Sequence, residues 1–154
     1  MPVSVTLQTV EPRTLAAVRR EVPAEEIGST WRPALDKVWD FIHSHPGLWS
    51  GGHNVFVYQR AEELGGSVRC EFGVEITGAF EAAGEVHLTE TPSGDAAVAV
   101  YRGPYDSLHE AYGAIEVWME ANGREPAGRV WEIYGDPTPD PADTETTVVQ
   151  LLKS

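Results

Sequence analysis

One order of secondary-structure patterns occurs twice along this 154-residue chain, and that repeat limits the folds the chain can adopt. Each half reads strand, helix, strand, strand, with one further strand ahead of it. Three pairs of segments match at separations of 81, 79 and 76 positions: residues 16–23 with 97–104, residues 38–39 with 117–118, and residues 55–58 with 131–134. The sequence therefore predicts a duplicated βαββ unit, with half-repeats of roughly residues 1–78 and 84–154.

Alternating apolar and polar residues predict about eight strands, most clearly at residues 68–76. Helical spacing of apolar residues predicts two helices. Ser29 or Thr30 is expected to cap the first, which runs to about Ser44 with Pro33 in its first turn. Ser107 begins a capping-box pattern for the second helix, which runs to about residue 121. The predicted strands are residues 3–8, 14–22, 54–59, 68–76, 86–91, 96–102, 129–134 and 146–152.

Glu132 is a carboxylate in an unexpected place. It lies in a predicted strand and shares one face with Val130 and Tyr134, because strand side chains alternate. Either that face is wet, or a buried acid is kept for a purpose, since burying an unpaired carboxylate is costly or raises its pKa. A structural alternative is an ion pair with Arg102 or Arg129.

The repeat aligns Glu132 with Phe56, at a separation of 76 positions. If the halves meet around a pseudo-twofold axis, the two side chains occupy equivalent places. One half then offers an aromatic ring where the other offers a charge. A purely structural duplication gains nothing from that replacement.

Composition narrows the classes of function. The formal net charge is −13, which opposes binding to nucleic acid and is compatible with cationic ligands, although solubility alone also explains it. Cys70 is the only cysteine, so no intrachain disulfide forms and a cytoplasmic location is expected. No apolar run is long enough to span a membrane, and the N-terminus lacks a signal-peptide pattern. Residues 1–154 are assigned to a single domain.

Three segments resemble the GyrI-like small-molecule-binding domain, also called the AraC-type bacterial effector-binding domain: Tyr101-Arg102-Gly103-Pro104-Tyr105, the helix of residues 107–119, and Trp131-Glu132-Ile133-Tyr134-Gly135-Asp136-Pro137. The resemblance covers nearly the whole chain. It implies an α+β fold, in which duplicated βαββ units form a curved antiparallel sheet of about eight strands with two helices on one face. The chain resembles the stand-alone members, which lack a DNA-binding domain.

The resemblance implies a binding module for lipophilic, preferentially cationic small molecules, which bind in a groove between the two halves. The family's central glutamate falls on Glu132 and its aromatic walls fall on Tyr105 and Tyr112. Pattern reading adds five ring candidates, namely Trp39, Phe56, Tyr58, Trp118 and Tyr134. An ionised acid ringed by aromatic side chains is suited to cations.

An alternative is a hydrolase of cyclopropane-bearing electrophiles, because some stand-alone members are reported to have that activity. Glu132 would then act as general base, with Tyr112 and Tyr134 as further catalytic candidates. A third class, inhibition of a topoisomerase, is suggested by the family name alone. No cofactor, metal site, nucleic acid or membrane is predicted as a partner, and the sequence identifies no protein partner.

Overall fold

The computed structural model of the protein describes residues 3–49, 51–60, 62–136 and 138–154. Over these residues the chain is an α+β fold, with an open antiparallel sheet of eight strands and two α-helices, as predicted. The helices are α1 (Ile27–His43) and α2 (His109–Asn122). The strands are β1 (Val5–Val10), β2 (Thr14–Pro23), β3 (Asn54–Gln59), β4 (Ser67–Glu75), β5 (Val86–Glu90), β6 (Gly94–Arg102), β7 (Pro126–Tyr134) and β8 (Glu145–Leu152).

The chain divides into two compact units, residues 12–91 and residues 1–11 with 92–154. The strand order is β3-β4-β2-β5 in the first unit and β7-β8-β6-β1 in the second. Each unit is therefore a βαββ segment plus one edge strand. The sequence half-repeats count β1 with β2, whereas β1 pairs with β6, and β5 pairs with β2. The assignment of the whole chain to a single domain stays a prediction.

Strand register supports the alignment of Phe56 with Glu132. Phe56 pairs with Phe72 of β4, and Glu132 pairs with Val148 of β8, which lies 76 positions after Phe72. In each unit a third strand adds one more residue beside this pair. The added residues are Val18 and Ala99, which are 81 positions apart, as predicted. The two equivalent rows are Val18, Phe72 and Phe56 in one unit and Ala99, Val148 and Glu132 in the other.

The predicted offset of 79 between the helices is wrong. The buried residues of the two helices align at a separation of 77: Ala34 with Ala111, Val38 with Ile115, and Ile42 with Met119. The offset of 79 would pair buried Val38 with Val117, which is 68% exposed. Trp39 and Trp118 are therefore not in related positions, because burial repeats with the helical period and a two-residue match does not reveal it.

The start of α1 differs from the prediction. A 3-10 turn over Ala24–Glu26 precedes the helix, so coiling begins before Ser29 and Thr30. Neither hydroxyl caps the helix; both donate to the carbonyl oxygen of Glu26, at 3.1 and 2.7 Å. Pro33 therefore lies inside the helix and not in its first turn, where it removes one backbone hydrogen bond.

The capping box predicted for α2 does not form. Ser107 belongs to a 3-10 turn (Tyr105–Ser107), and Leu108 stands at the N-cap without a side-chain hydrogen bond. The chain is already coiled at Ser107, so its hydroxyl lacks the extended backbone that N-capping needs. Gly123 ends the helix as expected, in the left-handed conformation with φ of 63°.

The second unit has its hydrophobic core between α2 and one face of the sheet. Ala99 and Val148 of the sheet pack with Ile115 and Met119 of the helix. Val130 packs against this cluster, so the face of β7 that carries Val130 and Glu132 is the face that α2 covers. Neither helix in the described part of the chain is long and apolar enough to cross a membrane.

Candidate functional site

Glu132 is buried, with 7% of its surface exposed. Two phenols hold its carboxylate: Tyr112 of α2 donates to Oε2, and Tyr134 of β7 donates to Oε1. Arg102 instead pairs with Glu145 at 2.9 Å, and no ion pair to Glu132 is found among the described residues. The site is therefore a buried acid held by neutral donors.

Burial raises the pKa of Glu132 above the ordinary glutamate value of 4.5, because desolvation disfavours the charged form. The hydrogen bonds from Tyr112 and Tyr134 stabilise the carboxylate and lower the pKa, but they offset the effect of burial only in part. The carboxylate is thus less stable than one in water. A positive charge placed beside it would recover part of that lost solvation.

We expect the Glu132→Gln variant to be more stable than the wild type at neutral pH. Because the folded-state pKa is raised, the contribution of Glu132 is fully present below the unfolded pKa of about 4.5 and is lost as pH rises through the folded pKa. Glutamine mimics the protonated acid, so the two proteins should converge near pH 4 and diverge as pH rises. Urea unfolding across pH measures this.

Glu120→Gln is the matched control for this stability difference, since Glu120 is exposed on α2 and its loss changes the net charge equally. Its difference from the wild type should vary little with pH. A Glu132→Gln protein less stable than the wild type at pH 7 would contradict the expectation.

The approach to α2 positions Tyr105. The Tyr101 hydroxyl donates to the carbonyl oxygen of Pro104 at 3.1 Å, and Gly103 lies beside it with φ of 152°. A Cβ at residue 103 would lie 2.6 Å from the Tyr101 hydroxyl oxygen, so glycine is required. The turn presents Tyr105, which is 55% exposed and packs edge-on against the Tyr134 ring at 5.8 Å.

The turn after β7 also needs a glycine. A Cβ at Gly135 would lie 2.7 Å from the carbonyl oxygen of Glu145, to which the Gly135 amide donates at 2.8 Å. This close approach holds the end of β7 beside β8, directly after Tyr134. Pro137, the last residue of the motif Gly135-Asp136-Pro137, lies outside the described residues.

Four predicted residues therefore come together in the second unit. Glu132 lies at the centre, Tyr112 reaches it from α2 and Tyr134 from β7, and Tyr105 extends the aromatic surface towards solvent. A carboxylate held by two phenols, with a third phenol ring packed on one of them, can attract a cation through its charge and through the ring faces.

Trp39 and Tyr58 lie in the other compact unit. The Trp39 indole donates to Asn54 Oδ1 at 3.1 Å, and its ring meets Trp49 edge-on at 5.5 Å. Tyr58 is half-buried on β3. Tyr58 lies on the face of β3 that faces α1, because Trp39 of that helix contacts Asn54, which shares a strand face with Tyr58.

Phe56 belongs to the core of its unit. It is 6% exposed, and its ring lies 4.9 Å from that of Phe72 and 5.9 Å from that of Trp31. The equivalent register position in the other unit holds Glu132. Two tyrosines donate hydrogen bonds to the acid there, whereas Phe56 packs with the rings of Trp31 and Phe72.

Trp118 lies on a different side of α2 from Tyr112. It lines a cavity of about 580 Å³ that opens along α2 and the chain leading into β1. Neither Glu132 nor the three tyrosines line it. The lining residues are Val3, Val5, Glu110, Gly113, Ala114, Val117, Trp118, Ala121 and Asn122.

Sequence reasoning missed Thr146. Its side chain is fully buried on β8, directly opposite Tyr134 on one side and Tyr101 on the other. A threonine at the start of a predicted strand is usually exposed. The signal for an inward position was that Thr146 is two residues from Val148 and so shares its strand face. The described residues hold no group of three or more His, Cys, Asp or Glu side chains arranged to hold a metal ion.

The chain combines an α+β fold with a buried acid bordered by aromatic rings. It matches the GyrI-like small-molecule-binding domain over residues 4–151, and it is a member of that family. The resemblance drawn from the sequence is thereby confirmed. No curated protein sequence matches the chain.

Solved structures share the fold. The C-terminal domain of EcmrR aligns with a TM-score of 0.81 and 22% identity over 99% of each chain; a longer EcmrR chain in a DNA complex is 57% covered. SAV2435 bound to tetraphenylphosphonium aligns at 0.74 and 11% identity, over 97% of this chain and 94% of that one. A hydrolase from Listeria innocua aligns at 0.64 and 10% identity, over 99% and 93%.

Proposed function

We propose that this protein is a binding module for lipophilic, preferentially cationic small molecules, in which Glu132 is the counter-ion and Tyr105, Tyr112 and Tyr134 form the aromatic wall. The observation that carries the proposal is the buried Glu132 carboxylate held by two phenols, with no ion pair among the described residues. Membership of a small-molecule-binding family supports it.

A cation interacts favourably with the buried negative charge of Glu132, which a neutral molecule does not. Burial removes water from the carboxylate, so a positive charge beside it is screened less than at the surface. Each ring face adds about 0.5–2 kcal/mol of attraction to a cation. These contacts need no exact pattern of hydrogen bonds, so one site accepts chemically varied cations.

Two further facts support a cationic ligand. The net charge of −13 draws cations towards the protein, and a protein of the same fold has been solved with tetraphenylphosphonium bound. The chain has 24 acidic residues against 11 Lys and Arg, and this excess of negative charge opposes binding to nucleic acid. We place the protein in the cytoplasm, since its single cysteine is buried and unpaired.

Hydrolysis of a cyclopropane-bearing electrophile is a second candidate, favoured by the raised pKa of Glu132 and by a structural neighbour that is a hydrolase. Glu132 would accept a proton from water as the water oxygen bonds to a ring carbon. The strained carbon–carbon bond would break, and its electron pair would take up a proton. We rank this second because both carboxylate oxygens already accept hydrogen bonds from tyrosines.

Titrating the protein with tetraphenylphosphonium and with neutral triphenylphosphine oxide tests the proposal. We expect the cation to bind at least about tenfold more tightly, because it gains a charge contact worth about 1.5–3 kcal/mol. Quenching of tryptophan fluorescence measures both affinities. Equal affinities would contradict a counter-ion role.

Mass analysis separates binding from catalysis in the same preparation. Compounds incubated with the protein should be recovered unchanged, whereas a hydrolase would convert a strained cyclopropane to its water adduct over many turnovers. Such turnover, if lost in Glu132→Gln, would replace the binding proposal with the second candidate.

A further inference from the structure

The hydroxyl of Thr146 is buried without a hydrogen bond. Thr146 has no exposed surface, and its Oγ1 has no partner among the described residues. Two other buried side-chain atoms share this property, Glu71 Oε2 and His87 Nε2, but these two atoms lie 2.8 Å from each other. Among the described residues, Thr146 is therefore the buried side chain whose unsatisfied polar atom does not lie next to another such atom.

A buried hydroxyl without a partner destabilises the folded protein, and valine would fill the same space without that cost. Most buried polar groups in proteins have a hydrogen-bond partner, so an exception calls for an explanation. In the other unit, the position 76 residues earlier holds Cys70, which pairs with Tyr58 as Thr146 pairs with Tyr134. The hydroxyl is thus not required by the position itself.

The place of Thr146 in the sheet connects it to the Glu132 site. It lies directly opposite Tyr134, two residues along β8 from Val148, which pairs with Glu132. Side chains two residues apart on a strand share a face, so the Thr146 and Glu132 side chains are diagonal neighbours, with Cα atoms about 7–8 Å apart. Tyr105, which is mostly exposed, packs edge-on against the ring of Tyr134.

We propose that Thr146 is a ligand-contacting, specificity-determining residue of the Glu132 site, whose hydroxyl bonds a polar group of the ligand when the exposed ring of Tyr105 moves aside and Tyr134 stays bonded to Glu132. This inference rests on the proposed function and deepens it by defining a ligand class. The preferred ligands are lipophilic cations with a neutral hydrogen-bonding group about one aromatic ring away from the positive centre.

Two probes that differ by one hydroxyl test the inference: tetraphenylphosphonium and (4-hydroxyphenyl)triphenylphosphonium. We expect the wild type to prefer the hydroxylated probe by about 3- to 10-fold, the scale of one neutral hydrogen bond. Thr146→Val should abolish that preference, by weakening the binding of the hydroxylated probe more than the binding of tetraphenylphosphonium. Thr146→Ser should keep it. Thr147→Val is the matched control, since Thr147 points to the opposite face of the same strand.

Thermal unfolding without added ligand gives an independent readout. We expect Thr146→Val to raise the Tm by about 2–4 °C, because it removes an unsatisfied buried hydroxyl. A gain in stability together with a loss of ligand preference is not what a structural threonine would show.

Other outcomes overturn the inference. If Thr146→Val weakens both probes equally, the residue only shapes the site, and if it changes neither, the hydroxyl does not contact ligand. A lower Tm would mean that the hydroxyl has a structural role. The failure of the proposed function is distinguishable, because Glu132→Gln would then leave the affinity for both probes unchanged.

Discussion

Replacing Glu132 with glutamine is expected to weaken the binding of lipophilic cations by about 1–3 kcal/mol, or roughly 5- to 150-fold. Glutamine keeps the shape of the side chain and an oxygen that accepts from one of the two tyrosines, but it removes the negative charge. Affinity for a neutral analogue should change much less, because its contacts are with the rings. Fluorescence titration of both ligands against both proteins measures the difference.

Glu120→Gln again serves as the control for this binding experiment. It removes one charge from the exposed surface of α2, so it changes the long-range field as much as Glu132→Gln does. Its effect on cation binding should be small and should vanish at high salt. If Glu132→Gln lowers affinity for charged and neutral ligands equally, Glu132 shapes the site and is not a counter-ion.

The second large effect is expected at Phe56, the register equivalent of Glu132. Phe56→Glu should destabilise the protein by more than about 4 kcal/mol at neutral pH, because it buries a carboxylate beside the rings of Trp31 and Phe72 and removes a packed ring. Urea unfolding of wild type and variant measures it.

The pH dependence identifies the cause of that loss. A glutamate buried at residue 56 would have a raised pKa, so part of the lost stability should return as the pH falls and the acid is protonated. Phe56→Leu, which keeps an apolar side chain, is the control and should show no such recovery. A Phe56→Glu protein as stable as the wild type at pH 7 would show that partners for a carboxylate exist in this unit too.

Element order and strand location were predictable from the sequence because they depend on local periodicity. The strand predicted at residues 54–59 has those bounds in the structure, and the two segments that align at 76 positions occupy equivalent register positions. Alternation within a strand is a property of the backbone, so it also placed Glu132 on one face with Val130 and Tyr134.

Helix starts and the helix offset were not predictable in this way. Ser107 carries a capping-box pattern, yet the turn made by Gly103 and Pro104 brings it into a 3-10 turn that continues into α2. The buried face of α2 depends on which residues meet β6 and β8, and the match of Val38-Trp39 with Val117-Trp118 carries no such information.

The same distinction between local periodicity and packing applies to the candidate site. The sequence by itself determined that an acid shares one face of β7 with Val130 and Tyr134, and that the elements follow a duplicated βαββ order. The tertiary structure alone decided that Tyr112 on α2 and Tyr134 hold the two carboxylate oxygens, that Trp118 lines a different cavity, and that Thr146 is buried beside them. The physical reason is that periodicity fixes the face of a side chain within its own element, whereas its partners depend on how separate elements pack.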